Sequence, residues 1–130
     1  MIIDSSAIVA IVFREPEAER LASAILAAPH RLMPVANWLE VMIVVESRFG
    51  REAANGTRIL LEELEIRPHP MDPSQLSEAI EAWRRYGKGR HPAGLNLGDC
   101  CAYAAAVSSG EDLLFKGNDF AQTDVTAAAW

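Results

Sequence analysis

Cysteine is nearly absent from this chain. The only two, Cys100 and Cys101, are adjacent. Neighbouring cysteines do not make a stable structural disulfide, and no second pair exists to complete a zinc site. They read as buried or half-buried helix residues. Long apolar runs are missing too. Runs such as Ala7–Phe13 and Val41–Val45 fall far short of the roughly 20 residues that a spanning helix needs. No basic stretch precedes an apolar one at the amino end, so no signal peptide is read and a cytoplasmic location is expected. Positive charge is scarce, with 12 Lys and Arg against 18 Asp and Glu and a net charge of −6. That excludes a polyanion binder held by bulk charge. It leaves nucleic acid open, because acidic metal sites of nucleases contribute to such a balance. No Gly-rich phosphate loop of the Walker or dinucleotide type occurs. His30, His69 and His91 fall in loop segments, and no Ser/His/Asp nucleophilic set is visible.

What is present is a globular composition. The 130 residues are 50% hydrophobic and 23% charged, enough for one domain, 1–130, with a real core. Short apolar runs alternate with helical patterns. The first strand is expected at Ile2–Asp4, with Ser5 or Ser6 capping a helix through Ala7–Phe13. Pro16 opens a second helix, with Leu21 and Ile25 on its apolar face. Leu32-Met33 is a short strand. Pro34 opens a helix over Val35 to Phe49 that stops at Gly50. A fourth helix covers about Arg51–Leu64, with Ala53, Leu60 and Leu64 facing inward, and Glu65-Ile66-Arg67 follows as a strand. Asp72 caps a fifth helix with Pro73 at its first position; it carries Leu76, Ala79, Ile80 and Trp83 at helical spacing and ends at Gly87. A Gly- and Pro-bearing loop, Gly87–Leu97, leads to a small-residue helix, Cys100–Ser108, started by Asp99 and closed by Gly110. Leu113-Leu114-Phe115 is a strand, and Asp124-Val125 begins a last edge strand. Strands alternating with helices imply an α/β fold with a parallel sheet.

Four carboxylates are candidates to share one site in such a fold. Asp4 ends an apolar run at a helix start, and ligands of open α/β sheets sit beyond the carboxyl ends of the strands. Glu40 interrupts an apolar helix; Asn37, Glu40, Val44 and Ser47 form one stripe, which faces either solvent or a polar cleft. Glu46 lies off it. Asp99 stands at a helix start, a position equally suited to capping and to ligation. Asp119 follows a strand within Lys116-Gly117-Asn118-Asp119-Phe120, where a simple turn role is the alternative, and Asp124 ranks below it. Carboxylates gathered at one edge repel and raise one another's pKa values. A divalent cation resolves that conflict, and all-oxygen ligation suits Mg²⁺ or Mn²⁺ rather than zinc. Metal-assisted phosphodiester hydrolysis is the chemistry this pattern motivates best.

The same residues resemble a known family. Met1-Ile2-Ile3-Asp4-Ser5-Ser6-Ala7 is similar to the opening of PIN-domain ribonucleases of the VapC toxin group. Pro34-Val35-Ala36-Asn37-Trp38-Leu39-Glu40-Val41 resembles the second acidic motif, Leu95 to Ala104 the third, and Leu113 to Phe120 the last. The resemblance implies a Rossmann-like three-layer α/β/α sandwich with a central parallel sheet. It implies Mg²⁺- or Mn²⁺-dependent endonucleolytic cleavage of RNA by the toxin half of a type II toxin–antitoxin pair, a VapB-type antitoxin as partner, and a homodimer. Carried over by motif, Asp4 and Asp99 are the direct metal ligands, Glu40 completes the cluster and helps orient the attacking water, and Asp119 is the fourth member. The last motif departs from the broader pattern, which places an acidic residue where Gly117 or Asn118 stands; Asn118 offers a neutral oxygen instead. Arg84, Arg85, Lys88, Arg90 and His91 form the densest basic cluster, either a solvated helix end or an RNA-backbone contact. Trp38 and Trp83 are expected in the core or an interface. A PIN nuclease that processes cellular RNA without being a toxin is the alternative reading. A phosphoacceptor receiver domain is disfavoured, because no strand-end aspartate stands in Arg51–Leu61 to accept phosphate.

Overall fold

Ile2 and Ile3 are neighbours on one strand, so their side chains leave on opposite faces. Each is fully buried, and each anchors a separate core. The computed structural model describes residues 1–130. Strands β1 (Ile2–Ile3), β2 (Leu32–Pro34), β3 (Arg67–His69) and β4 (Leu113–Leu114) form one sheet in the order β3-β2-β1-β4, parallel throughout. Six helices flank it: α1 (Ser5–Val12), α2 (Ala18–Ala27), α3 (Val35–Phe49), α4 (Arg51–Glu63), α5 (Pro73–Tyr86) and α6 (Leu97–Ser109). Ile2 and Leu113 pack with Ala79, Ala82 and Tyr86 of α5 and with the buried alanines of α6. Ile3, Met33 and Leu114 pack on the other side with apolar residues of α1 to α4. The outcome is the expected three-layer α/β/α arrangement. No helix is long and apolar enough to cross a membrane.

The chain walks outward from β1 to β2 to β3, then returns to place β4 on the free side of β1. Strand order therefore reverses at β1. The crevice beyond the carboxyl ends of β1 and β4 is the topological switch point where open sheets of this class bind ligands.

Several local expectations need correction. Asp4, rather than Ser5 or Ser6, caps α1, because its carboxylate accepts the Ser6 N–H. The third strand is Arg67–His69 instead of Glu65–Arg67. Glu65 takes a left-handed conformation (φ 53°) that closes α4, so the extended segment starts later. Pro68 fits because β3 is an edge strand and Arg67, not Pro68, supplies the N–H that pairs with Arg31. In α4 the deepest positions are Ala54, Thr57 and Leu61, with Leu64 just beyond the helix also buried; Ala53 and Leu60 are only partly covered. In α5 the inward face is Gln75, Ala79, Ala82 and Tyr86, which leaves Leu76, Ile80 and Trp83 largely exposed. Helix α6 starts at Leu97 with Asn96 as its cap, so Asp99 sits in the first turn. No strand forms at Asp124-Val125; only an isolated bridge pairs Ala127 with Leu113.

Candidate active site

Asp4 follows β1 at the switch point and is 1% exposed. Three donors surround its carboxylate. Oδ2 accepts from the Ser6 N–H at 2.9 Å and from the Ser6 hydroxyl at 2.5 Å, and Oδ1 accepts from Asn37 Nδ2 at 2.9 Å. Ser6 Oγ in turn accepts the Lys116 N–H at 3.0 Å, which ties the turn after β4 to the end of β1. The three donors favour the ionised carboxylate, yet burial outweighs them. With Asp99 and Glu40 adding repulsion, the Asp4 carboxyl is pushed up to about 6.

Helix α3 starts directly after β2, which brings its first two turns to the same edge. Asn37 and Glu40 project from one stripe of it, and the stripe faces the cleft. Asn37 is fully buried, and its Nδ2 also donates to the Gly98 carbonyl at 3.2 Å. Its Oδ1 is buried with no partner. Glu40 Oε2 accepts the Ser5 hydroxyl at 2.6 Å. Asp99 comes from the first turn of α6, where a reciprocal pair of bonds with Asn96 holds it: Asn96 N–H donates to Asp99 Oδ2 at 2.8 Å, and Asp99 N–H donates to Asn96 Oδ1 at 2.9 Å. Burial raises the Asp99 carboxyl above its ordinary range, and Asp119 and Glu40 push it further in the same direction. Asp119 is solvent-exposed after β4, at the rim of this group. Asn118 is exposed beside it.

Asp4, Glu40 and Asp99 thus lie close enough at one edge to repel one another, and Asp119 acts on Asp99 from the rim. Asp124 is not part of the group. It binds the Tyr103 hydroxyl at 2.5 Å and Arg85 at 2.8 Å. Ser5, Ser6, Asn37 and Gly98 complete the setting, and their roles depend on partners remote in sequence. The adjacent thiols are buried, which pushes Cys100 up to about 11 and Cys101 upward.

A hard divalent cation fits the chemistry of this donor set, which is all oxygen. Burial and mutual repulsion raise the Asp4 and Asp99 carboxyls above the ordinary range, and Asn37 Oδ1 is a buried acceptor lacking a donor. No three His, Cys, Asp or Glu side chains converge on a single ion position. Glu40 Oε2 and Asp99 Oδ2 are engaged by Ser5 and Asn96, and each carboxylate keeps a second oxygen without a protein donor.

Around this mouth the surface is apolar. One groove of about 470 Å³ runs along Leu39, Glu40 and Ile43 to Leu97. A second, about 530 Å³, lies between α5 and α6 and is lined by Met71, Leu76, Ile80, Trp83 and Cys101. Leu97, 80% exposed, borders both. The basic cluster is largely spent on protein partners: Arg84 pairs with Glu81, Arg85 with Asp124, and Arg90 stacks 4.0 Å over Trp83. His91 accepts the Ala93 N–H and packs edge-on to Tyr86. Lys88 makes no ion pair and reaches the second groove. Trp38 packs against the core of α1 to α4.

Known proteins are similar to this chain in sequence and in fold. The PIN domain model matches residues 1–125. A ribonuclease VapC of Mycolicibacterium smegmatis is 49% identical over 127 residues, 98% of each chain. Among solved structures, VapC20 of Mycobacterium tuberculosis, a sarcin-ricin loop cleaving toxin, superposes with a TM-score of 0.77 at 14% identity, covering 96% of this chain and 95% of that one. A chain of a toxin–antitoxin complex from Klebsiella pneumoniae superposes with a TM-score of 0.73 at 18% identity, covering 95% and 92%.

Proposed function

Since the chain belongs to the PIN-domain family, alongside ribonucleases named VapC, we propose that it is a toxin endoribonuclease that hydrolyses RNA phosphodiester bonds with Mg²⁺ or Mn²⁺ at Asp4 and Asp99. The observation that carries the reading is Asp4 itself: a fully buried carboxylate at the switch point, coupled to Glu40 and Asp99. A divalent cation supplies Lewis acidity and charge neutralisation to a phosphoryl group there. Asp4 is oriented for this by Ser6 and Asn37, and Asp99 by Asn96. Glu40 has Oε2 anchored on Ser5, which leaves Oε1 to orient the attacking water and take its proton. Asp119, on the exposed rim, completes the acidic set. Lys88 and the Arg90–Trp83 stack contact the RNA backbone beside the mouth.

The partner belongs to the same reading. The two apolar grooves flank an acidic mouth, which suits a VapB-type antitoxin segment with an apolar face and a basic side chain. Self-association into a homodimer would use apolar surface outside those grooves, such as the exposed Leu26, Phe49 and Ile59.

The test is cleavage of cellular RNA by the purified protein. Mg²⁺ or Mn²⁺ should support cutting, a chelator should abolish it, and Asp4→Asn and Asp99→Asn should be inactive while retaining the wild-type circular dichroism. Cleavage that persists in chelator, or a folded Asp4→Asn variant as active as wild type, refutes the mechanism.

A further inference from the structure

Resting on the nuclease reading above, we propose that Gly98 is a positioning residue for Glu40, and that its missing side chain is what lets the Glu40 carboxylate lie against Ser5 at the end of β1. A Cβ on residue 98 would stand 2.5 Å from Glu40 Oε2 and 3.3 Å from its Cδ. The first is a clash, and the second, like the 3.4 Å to Asn96 Oδ1, is a tight contact that a shift of a few tenths of an ångström relieves. Nothing in the backbone asks for glycine here. Gly98 lies in the first turn of α6 and, unlike Gly110 at the end of that helix, is not left-handed. Alanine is the better helix former. The carboxylate therefore explains the glycine.

Something must give if a Cβ is added, and the structure identifies what. The Gly98 carbonyl is held by Asn37 Nδ2, whose other bond goes to Asp4 Oδ1, and Asn37 is fully buried. The start of α6 is thereby fastened to the end of β1. The Glu40 side chain is half-buried and ends in a single bond to Ser5 Oγ, so it is the mobile partner. A methyl group at 98 moves the carboxylate off Ser5 and leaves the helix in place. Gly56, inside α4, is the control, since a Cβ there meets nothing within 4 Å.

The experiment compares Gly98→Ala and Gly56→Ala in wild-type and Glu40→Ala backgrounds. Thermal melts and ¹³C NMR of glutamate carboxyls are recorded without divalent cation, and single-turnover RNA cleavage with Mg²⁺. Gly98→Ala should melt at or above wild type and shift the Glu40 carboxyl resonance, identified by its loss in Glu40→Ala. Its cleavage rate should fall by about 100-fold, the scale of a misplaced catalytic group, with KM little changed. In the Glu40→Ala background it should cost nothing further. Gly56→Ala should leave the resonance and the rate unchanged. A lowered melting temperature, an unmoved Glu40 resonance, or an equal rate loss without Glu40 overturns the inference. If wild type cuts no RNA, the nuclease reading fails separately, and the Glu40 resonance still decides whether Gly98 positions that side chain.

Discussion

Burial of Asp4 has a thermodynamic signature opposite to that of most carboxylates. Its folded pKa of about 6 lies above the ordinary 3.8. Between those values the folded protein keeps a proton that the unfolded chain has released. Stability from this group is therefore greatest at low pH and is lost as pH rises through 6. At 1.36 kcal/mol per pH unit the shift is worth about 3 kcal/mol. Burial and repulsion shift Asp99 in the same direction, whereas Asp72, Glu111 and Asp124 are shifted the other way by hydrogen bonds and ion pairs. The wild-type profile alone therefore mixes signs, and the difference from Asp4→Asn isolates the group. The amide faces donors on both sides, Ser6 N–H and Asn37 Nδ2, so the variant starts with a roughly pH-independent penalty of about 1–3 kcal/mol. As pH rises from about 4 to 8, the balance should move toward Asp4→Asn by most of the 3 kcal/mol. Urea denaturation followed by tryptophan fluorescence, in chelator at each pH, measures it. Added Mg²⁺ should restore the wild-type protein selectively, because ligand binding stabilises only the state that binds it. A gap that stays constant, or moves toward wild type with rising pH, refutes the assignment of a desolvated, electrostatically opposed carboxylate.

Other outcomes follow from the same contacts. Asp124→Ala strips the buried Tyr103 hydroxyl of its acceptor and frees Arg85, so it should cost about 1–2 kcal/mol in a melt while leaving single-turnover cleavage unchanged; loss of cleavage in the folded variant would place Asp124 in the acidic set. Leu39→Ser with Ile80→Ser, one change in each groove, should weaken a titrated antitoxin complex while leaving RNA cleavage intact; undiminished affinity would place the antitoxin elsewhere.

The alternation of short apolar runs with helices was legible, and so was Asp4, because a carboxylate that ends an apolar run has a distinctive position. Glu40 was legible only as an open choice between solvent and cleft. Its placement depends on Ser5, 35 residues away, and on the absence of a side chain at Gly98. Asn37 lay on the same stripe, yet its bonds span 33 and 61 residues. No local pattern encodes such contacts. Helix α5 shows a different limit. Leu76, Ile80 and Trp83 repeat at helical spacing, but α6 packs against the alanines and Tyr86 instead. Periodicity finds an apolar face without saying whether the core or another molecule covers it. The third strand is read two residues early because Pro68 reads as a breaker, and only edge placement makes it acceptable.

The one-residue alternation of Ile2 and Ile3 bears on more than packing. Asp4 is next in line, so the register that sends each isoleucine into its own core also delivers the carboxylate to the crevice. A slip of one residue would carry one isoleucine into the opposite core, leave the other without its place, and withdraw the acid from the crevice. Assembly and armament are therefore a single event in this chain. In a molecule whose first strand pairs out of register, the proposed acidic site does not form, so the correct pairing of β1 and the completion of that site are checked by the same contacts.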